Sequence, residues 1–389
     1  MVTAMRVLAA LLLITVSSSQ IGGAQSVQAP YEINVILPIT GGAAFLGTKE
    51  AEAVGVIEKQ VNRSGGIRGR AIHFVVSDDA SDPKTDVQIM SAFVQRHVPV
   101  VIGSSVSSMC AAMGPLVKES GPVMYCLSPL VEPPNGSFVF SAAIGSVAFM
   151  PLLPEFSHVK HWKRVALLAT NDTTGQDYEA KMDAELKLPA NADVTVVASE
   201  HFAASDLSVA AQVANIKAAR PDVAVVVATG PPFGLALRAF KDAGLDIPLI
   251  VTGSNITNTQ MTQFHSVLPS KMYFISAAGA KADPSARGAW RAAQATFFDA
   301  FKSAGIIPEY SHLLAWDPTM LVVDALRKTG LTASADQIRA EMASRREWYG
   351  LEGRYDFSAS PQRGLSRKNA VVYEWLTVKN DYTVVFADK

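Results

Sequence analysis

The stretch Val35-Ile36-Leu37-Pro38-Ile39-Thr40-Gly41-Gly42 opens the unit that decides the fold of this chain. Its apolar run ends at a turn with two glycines, as a buried strand does before the chain reverses tightly. Apolar residues then recur every three or four positions, at Ala51, Val54, Ile57 and Val61. This spacing predicts one buried face of a helix, which Gly65-Gly66 would end. Because another apolar run follows at residues 72–76, the unit is predicted to be strand, helix, strand.

An acidic loop follows the second predicted strand, with the sequence Asp78-Asp79-Ala80-Ser81-Asp82-Pro83. Asp82 before Pro83 is typical of a helix N-cap with proline at the first helical position. Three carboxylates within five residues also suit a cation, but no further ligands follow at the spacing of a calcium loop. We therefore predict a structural role for this loop and no metal site.

The alternation of strands and helices continues along the chain. Further short apolar runs predict strands at residues 98–102, 123–127, 165–169, 194–198, 223–228, 249–252, 272–275, 371–378 and 382–386. Helix-length spacers separate most of them, which predicts an α/β protein with parallel sheets covered by helices on both faces. Two long helical stretches, Arg287 to Ser303 and Leu313 to Lys328, have no strand between them.

Composition indicates a well-packed protein with more than one core. The chain has 389 residues, 49% of them hydrophobic and 18% charged. Because a chain of this length rarely folds around one hydrophobic core, two domains are expected. The formal net charge of −1 provides no basic field, so neither nucleic acid nor an anionic membrane is expected as a partner.

The N-terminal segment has the pattern of an export signal. Arg6 precedes the apolar run Val7 to Val16, and Gly22-Gly23-Ala24 supplies small residues for cleavage after Ala24. The apolar run is too short to span a bilayer, and no cysteine near the cleavage point could carry a lipid. We therefore expect a periplasmic protein with a cleaved signal peptide and no direct membrane anchor.

Export bears on whether the two cysteines form a disulfide. Cys110 falls early in the helix predicted from Ser107, and Cys126 lies near the end of the strand predicted at residues 123–127. An oxidising compartment permits a disulfide between them. Two buried free thiols remain an equal alternative, because cysteine is among the most buried residue types.

The first unit also resembles a known family. Its Gly-Gly-Ile-Arg-Gly-Arg segment at residues 65–70, its acidic loop, and the later Ile102-Gly103-Ser104-Ser105-Val106-Ser107-Ser108 are similar to the periplasmic solute-binding proteins of ABC transporters. Within these, the chain resembles the leucine/isoleucine/valine-binding group with the type I fold, from about Tyr31 to the C-terminus. The resemblance implies two doubly wound parallel-sheet lobes with a cleft between them.

The resemblance also implies three crossings between the lobes, which we place near Ala143, Ser276 and Tyr355-Asp356-Phe357. Lobe 1 is then expected to comprise residues 25–143 and 277–355. Lobe 2 is expected to comprise residues 144–276 and 356–389. Open α/β sheets bind ligands beyond the carboxyl ends of their strands, so the site is expected in the cleft.

The serines before the third predicted helix give the clearest chemical signal in the cleft. Backbone N–H groups, hydroxyls and the positive end of a helix dipole converge there on an anion. By resemblance, Ser107 matches the serine that binds the ligand carboxylate in the family. Ordinary N-capping of the helix is the alternative.

Other positions depart from the amino-acid-binding pattern of the family. Glu132 stands where a threonine is expected, Thr174 replaces an aromatic residue, and Ser254 replaces the acid that pairs with the ligand ammonium. A buried ammonium without a carboxylate partner is costly. An aromatic or other organic acid is therefore expected ahead of an amino acid, although Glu132 could act as the ammonium partner.

The predicted ligand-binding residues are Phe45, Leu46, Ser107, Ser108, Ser128, Leu130, Val131, Glu132, Thr174, Pro231 and Ser254. We expect an exported protein that captures a small carboxylate ligand and delivers it to an ABC permease in the membrane. The alternatives are a branched-chain or other amino-acid-binding protein of the same transporter class and a ligand-sensing subunit of a receptor or regulatory system. No cofactor or metal is expected, and no motif assembles a catalytic nucleophile, base and orienting group.

Overall fold

The computed structural model describes residues 28–279 and 281–387. Its first sheet has five parallel strands in the spatial order β2-β1-β3-β4-β5. These strands are β1 (Tyr31–Leu37), β2 (Ile72–Asp78), β3 (Val100–Ile102), β4 (Val123–Cys126) and β5 (Val139–Ser141). Helices α1 (Ala44–Arg63), α2 (Pro83–Gln95) and α3 (Ser107–Val117) connect the first four strands. The predicted signal peptide, with cleavage after Ala24, lies outside the described residues.

Two short helices, α4 (Ser146–Phe149) and α5 (Leu152–Lys160), lead from the first sheet to the second. The next strands are β6 (Arg164–Thr170), β7 (Thr195–Phe202), β8 (Val223–Val227), β9 (Leu249–Thr252) and β10 (Met272–Ala277). Helices α6 (Thr173–Leu186), α7 (Ala210–Ala219), α8 (Pro231–Asp242) and α9 (Asn258–Gln263) alternate with them. All five strands are parallel to their neighbours within this group.

The chain then returns to the first sheet before it completes the second. Helices α10 (Gly288–Ala304), α11 (Tyr310–Thr329) and α12 (Ala335–Ala343) precede a hairpin of β11 (Trp348–Gly350) and β12 (Gly353–Tyr355). Helices α10 and α11 pack against α1, and α12 packs against α11. Strands β13 (Ala370–Leu376) and β14 (Asp381–Ala387) end the second sheet, whose order is β14-β13-β10-β9-β8-β6-β7.

We call the first sheet with its helices lobe 1 and the second sheet with its helices lobe 2. The α/β class predicted from sequence is confirmed, with one difference in strand direction. Strand β13 pairs with β10 and with β14 in antiparallel fashion, so the second sheet is mixed. The boundaries of the lobes at residues 143, 276 and 355 remain a proposal.

The acidic loop after β2 is structural, as predicted. Asp82 is the N-cap of α2 and accepts a hydrogen bond from the backbone N–H of Lys84, with Pro83 at the first helical position. Asp78 accepts hydrogen bonds from the backbone N–H groups of Ile39 and Thr40. The loop therefore joins the end of β2 to the turn after β1.

A disulfide joins Cys110 of α3 to Cys126 at the end of β4, with a Cα–Cα distance of 5.9 Å. Both cysteines are buried in a small core cluster. The structure thus decides between the disulfide and the free thiols that the sequence left open. It also ties the start of α3 to the carboxyl end of its neighbouring strand.

Two acidic side chains lie in the interior of lobe 1. Glu50 of α1 and Asp86 of α2 are both 0% exposed, and none of their carboxyl oxygens has a hydrogen-bond partner among the described residues. Burial raises the pKa of Glu50 to about 8, and the nearby Asp79 adds to the shift. Burial and the neighbouring Asp79 and Asp82 raise the pKa of Asp86 to about 8 as well. Both carboxyls are therefore neutral near pH 7, as an unpaired buried acid is expected to be.

Within residues 28–279 and 281–387, none of the helices combines the length and the apolar character that crossing a bilayer requires. The same residues contain no group of three or more His, Cys, Asp or Glu side chains arranged to hold a metal ion.

The disulfide predicts a measurable loss of stability when it is removed. Cysteines separated by 16 residues should stabilise the fold by about 3 kcal/mol through restriction of the unfolded chain. We expect the Cys110→Ala/Cys126→Ala variant to unfold at correspondingly lower urea concentration. When the unmutated protein is unfolded without reductant, an alkylating reagent should add no label, whereas two labels per chain would show free thiols.

The buried Glu50 predicts a pH dependence of stability. The pKa of Glu50 is higher in the folded than in the unfolded chain. The contribution of Glu50 to the free energy of unfolding is therefore full below about pH 4 and falls as pH rises towards 8. Glu50→Gln should remove about 1.4 kcal/mol per pH unit from this slope, which urea titrations at several pH values can measure. Glu119→Gln is the control, because the Glu119 side chain is 83% exposed. Parallel curves for Glu50→Gln and the native protein would contradict a neutral Glu50.

Candidate functional site

A cavity of about 370 Å³ lies where the carboxyl ends of both sheets face each other. This is the position expected for the ligand of an open α/β sheet. Lobe 1 contributes Gly42, Ala43, Leu46, Ser81, Ser105, Val106, Ser107, Ser108, Met109, Ser128, Pro129, Leu130, Ala143, Tyr310 and Leu314. Lobe 2 and the passage into it contribute Ile144, Phe149, Thr170, Asp172, Thr174, Tyr178, Ala204, Thr229, Pro231, Pro232, Val251, Thr252, Gly253, Ser254, Ile275 and Ser276.

Helix α3 begins at this cavity without a side-chain cap. Its N-cap residue is Val106, which cannot accept a hydrogen bond through its side chain. The backbone N–H groups of Ser107 and Ser108 have no partner among the described residues. The N-capping alternative for Ser107 is therefore wrong, because Ser107 is the first residue of the helix. The free N–H groups and the helix dipole give this wall of the cavity a positive character.

Three hydroxyls surround this helix end. The Ser107 and Ser128 Oγ atoms are 2.7 Å apart, and the backbone N–H of Leu130 donates to Ser128 Oγ at 3.3 Å. Ser105 is 6% exposed, and its Oγ makes no hydrogen bond within the described part of the chain. The Cys110–Cys126 disulfide lies one turn into α3 and holds these serines in place. We call this set of helix N–H groups and hydroxyls the serine pole.

The opposite wall begins at helix α6. Asp172 is the N-cap of this helix, and its Oδ1 accepts hydrogen bonds from the Gly175 N–H at 3.1 Å and the Thr170 hydroxyl at 3.0 Å. A Cβ at residue 175 would lie 1.7 Å from the Thr170 carbonyl oxygen, so only glycine fits this tight turn. Further along the same wall, the Thr229 and Ser254 hydroxyls are 3.4 Å apart.

The remaining lining is mostly apolar, and part of it comes from α11. Tyr310 and Leu314, on the first turns of that helix, reach the cavity, and the Tyr310 hydroxyl lies 2.6 Å from Ser276 Oγ. Burial raises the pKa of Tyr310, so its phenol stays neutral. No Lys, Arg or His side chain lines the cavity in the described part of the protein.

The two lobes touch at the cleft. A Cβ placed on Gly230 would lie 3.0 Å from the Gly42 carbonyl oxygen and 3.3 Å from the ring of Phe45. On another side, the Glu309 carboxylate accepts a hydrogen bond from the backbone N–H of Asn258 at 2.5 Å. The cavity is therefore bounded by contacts between the lobes.

Three of the predicted site residues lie outside the cavity lining. Phe45 is half-buried and faces Gly230 instead. Val131 packs against the core cluster that contains the disulfide. Glu132 forms an ion pair at 3.3 Å with the buried Arg363, so the prediction that it could meet a ligand ammonium is wrong.

The other predicted residues, Leu46, Ser107, Ser108, Ser128, Leu130, Thr174, Pro231 and Ser254, do line the cavity. Their role in binding remains a prediction. Sequence reasoning missed Asp172, although it lies in a strand-ending loop where a carboxylate could have been noticed. It also missed Tyr310 and Leu314, for which no local pattern gives a signal, because α11 reaches the cavity only through tertiary packing.

The sequence profile of the periplasmic binding protein family matches residues 30–377. Among curated proteins, the chain is 22% identical to the Leu/Ile/Val-binding protein BraC3 of Rhizobium johnstonii, over 88% of this chain and 91% of that protein.

Solved structures of low sequence identity share the fold. The branched-chain amino acid transporter substrate-binding protein LivJ of Streptococcus pneumoniae, in complex with isoleucine, is 19% identical with a TM-score of 0.76, and the match covers 92% of this chain and 99% of that one. A solute-binding protein of an ABC transporter from R. palustris, in complex with benzoate, is 17% identical with a TM-score of 0.74, covering 92% and 98%. Since the profile spans nearly all of the described residues, the chain belongs to the periplasmic binding protein family and has the type I fold predicted from its sequence.

Proposed function

We propose that this protein captures a small carboxylate-bearing ligand with an apolar or aromatic body between its two lobes and delivers it to the membrane permease of an ABC transporter. The uncapped start of α3, which opens into an apolar cavity, is the observation that carries this proposal. The proposal includes binding without chemical conversion, in a protein exported to the periplasm.

The serine pole suits a carboxylate in both charge and geometry. A helix N-terminus offers N–H donors and a partial positive charge, which together hold an anion without a cationic side chain. Ser107 and Ser128 add hydroxyls within reach of the same point. Hydrogen bonds to an ionised acceptor are stronger than neutral ones, so these donors are expected to dominate recognition.

The apolar lining suits a hydrocarbon body attached to that carboxylate. The apolar part of the lining includes Leu46, Leu130, Phe149, Tyr178 and Leu314. Burial of such surface contributes roughly 25 cal/mol per Å². The ligands named for the relatives are consistent with this shape, because isoleucine and benzoate each join a carboxylate to an apolar body.

Delivery to a permease is proposed from the family together with the two-lobed architecture. Ligands at the cleft of two hinged lobes stabilise the closed arrangement, which a membrane partner can recognise. A ligand recovered chemically unchanged after long incubation would support binding alone, and steady turnover of it would contradict this part of the proposal.

Ser107→Ala should weaken carboxylate binding by at least about 1 kcal/mol, because it removes a hydrogen bond to a charged group. A thermal-shift panel of benzoate, 3-phenylpropanoate, 4-methylpentanoate, isoleucine and leucine, with their primary amides, would first identify binders, since binding the native state raises Tm. Calorimetry on the native protein and the variant then gives the change in Kd. We expect carboxylates to bind and the amides to bind more weakly.

Ser91→Ala provides the matched control, because Ser91 lies on α2 of the same lobe and its hydroxyl bonds only the Val87 carbonyl. Equal carboxylate affinity in Ser107→Ala and Ser91→Ala would place the anion elsewhere. If no carboxylate raises Tm, the proposed ligand class is wrong.

A further inference from the structure

A buried hydrogen-bond cluster joins helix α11 to the turn between β11 and β12. The Asp317 carboxylate accepts hydrogen bonds from the backbone N–H groups of Leu351 at 2.8 Å and Glu352 at 3.0 Å. The Tyr355 hydroxyl lies 3.0 Å from Asp317 Oδ2 and also 3.0 Å from Glu352 Oε2. Asp317 and Tyr355 are 0% exposed and Glu352 is 3% exposed, so these bonds form in the protein interior.

The hydrogen bonds of the Tyr355 hydroxyl require an additional proton on one of the two acids. A phenol has one hydrogen, which it can donate to only one carboxylate oxygen. Both distances are satisfied when one acid is protonated and donates to the phenol oxygen, while the phenol donates to the other acid. Backbone N–H bonds favour the ionised form, which makes Asp317 the carboxylate and Glu352 the protonated acid. Burial and the charge of Asp317 raise the pKa of Glu352 well above its ordinary value, in agreement with this assignment.

The groups around Glu352 do not favour a second negative charge. The phenols of Tyr125 and Tyr310 lie near it, and burial raises the pKa of both, so they stay neutral. The Arg363 guanidinium favours ionisation of Glu352, but it also pairs with Glu132 at 3.3 Å and donates to three backbone carbonyls. Loss of the proton would leave two carboxylates at one phenol, and like charges repel strongly in a buried site.

The turn that carries Glu352 contacts segments that lead out of and into the second sheet. The Glu352 carbonyl accepts a hydrogen bond at 3.1 Å from the side chain of Asn369, directly before β13. The Asn369 carbonyl accepts one at 2.7 Å from the backbone N–H of Ala278, directly after β10. A Cβ on the next residue, Gly279, would lie 2.6 Å from the Leu351 carbonyl oxygen. The turn therefore lies where the chain passes between the two lobes.

We propose that Asp317, Tyr355 and Glu352 form a latch that stays closed only while Glu352 is protonated. The closed latch holds the turn on helix α11, and the turn contacts the two segments that connect to lobe 2. The latch thus fixes the pivot of lobe 2 relative to lobe 1, and alkaline pH releases it. This inference concerns the ligand-free protein, so its outcome is independent of the ligand class proposed above.

Two substitutions locate the proton. Glu352→Gln keeps a neutral group whose N–H can donate to the phenol oxygen, so Tm at pH 7 should stay within about 2 °C of the native value. Asp317→Asn replaces the acceptor of three hydrogen bonds by a group with one acceptor oxygen, so Tm should fall by at least about 4 °C. A fall in Tm for Glu352→Gln that equals or exceeds the fall for Asp317→Asn would overturn the latch.

Urea unfolding between about pH 5 and pH 9 tests the proton on Glu352. Its pKa is higher in the folded than in the unfolded chain, so its contribution to stability is full below about pH 4 and falls as pH rises. Relative to Glu352→Gln, the folded-to-unfolded ratio of the native protein should fall about tenfold per pH unit. Glu347→Gln is the matched control, because Glu347 lies directly before β11 with its side chain 72% exposed, and it should follow the native curve. Parallel curves for the native protein and Glu352→Gln would overturn the proposal.

Hydrogen exchange and X-ray scattering of the ligand-free protein test the pivot. In Asp317→Asn the N–H groups of Leu351 and Glu352 lose their carboxylate acceptor, so the peptide that contains the turn should exchange faster than in the native protein. Scattering should give a wider distribution of interatomic distances for this variant, because the lobes are no longer held at one angle. If Asp317→Asn does not fold, Tyr355→Phe takes its place, because it removes the phenol bonds and keeps the ring.

The same scattering measurement tests the release by pH. The native protein should show the wider distribution when pH is raised from about 7 to about 10, whereas Glu352→Gln should not, because its amide has no proton to lose in this range. Native exchange and scattering in the folded latch variant would overturn the role of the latch at the pivot. An equal response of the native protein and Glu352→Gln to pH would overturn the release.

Discussion

The site depends on the start of helix α3, where backbone N–H groups lack hydrogen-bond partners among the described residues. A helix end leaves N–H groups that need partners, and here neither a side-chain cap nor a backbone carbonyl among the described residues meets those of Ser107 and Ser108. The disulfide and the bond between Ser107 and Ser128 hold this end against β4. The helix end therefore keeps its position without a bound partner, so little ordering should be needed when an anion arrives.

The buried Glu50 behind this helix end adds no negative charge to the serine pole near pH 7. Glu50 lies near Ser105, and an ionised carboxylate there would compete with a bound anion. Burial keeps the acid neutral near pH 7, so the positive character of the helix end is not cancelled from behind. The same burial explains why the carboxyl oxygens of Glu50 can lack partners, since a neutral acid costs far less to bury than a charged one.

Local sequence patterns predicted most of the secondary structure, and the features that they missed depend on tertiary packing. The helix period of α1 and the cap of α2 are local properties, and both were predictable from the residues. Strands β5 and β11 have three residues each, too few to show a period, and were missed. At the site, Ser107 could be chosen because it follows a buried strand. Tyr310 could not, because its approach depends on how α11 packs over lobe 1. Glu132 failed as a candidate because its partner, Arg363, is remote in sequence.

The position of the cavity between the two lobes has a consequence for closure. Direct contacts between the lobes, such as the approach of Gly230 to Gly42 and the bond from Asn258 to Glu309, involve protein atoms alone and do not distinguish one ligand from another. If such contacts were strong, the empty cleft would stay shut and closure would report nothing about the ligand. A ligand shifts the equilibrium only by its difference in affinity for the two states. A molecule that contacts the serine pole in lobe 1 and the lining of lobe 2 gains both sets of contacts only when the cleft is closed, so its fit to both walls decides how strongly it favours closure.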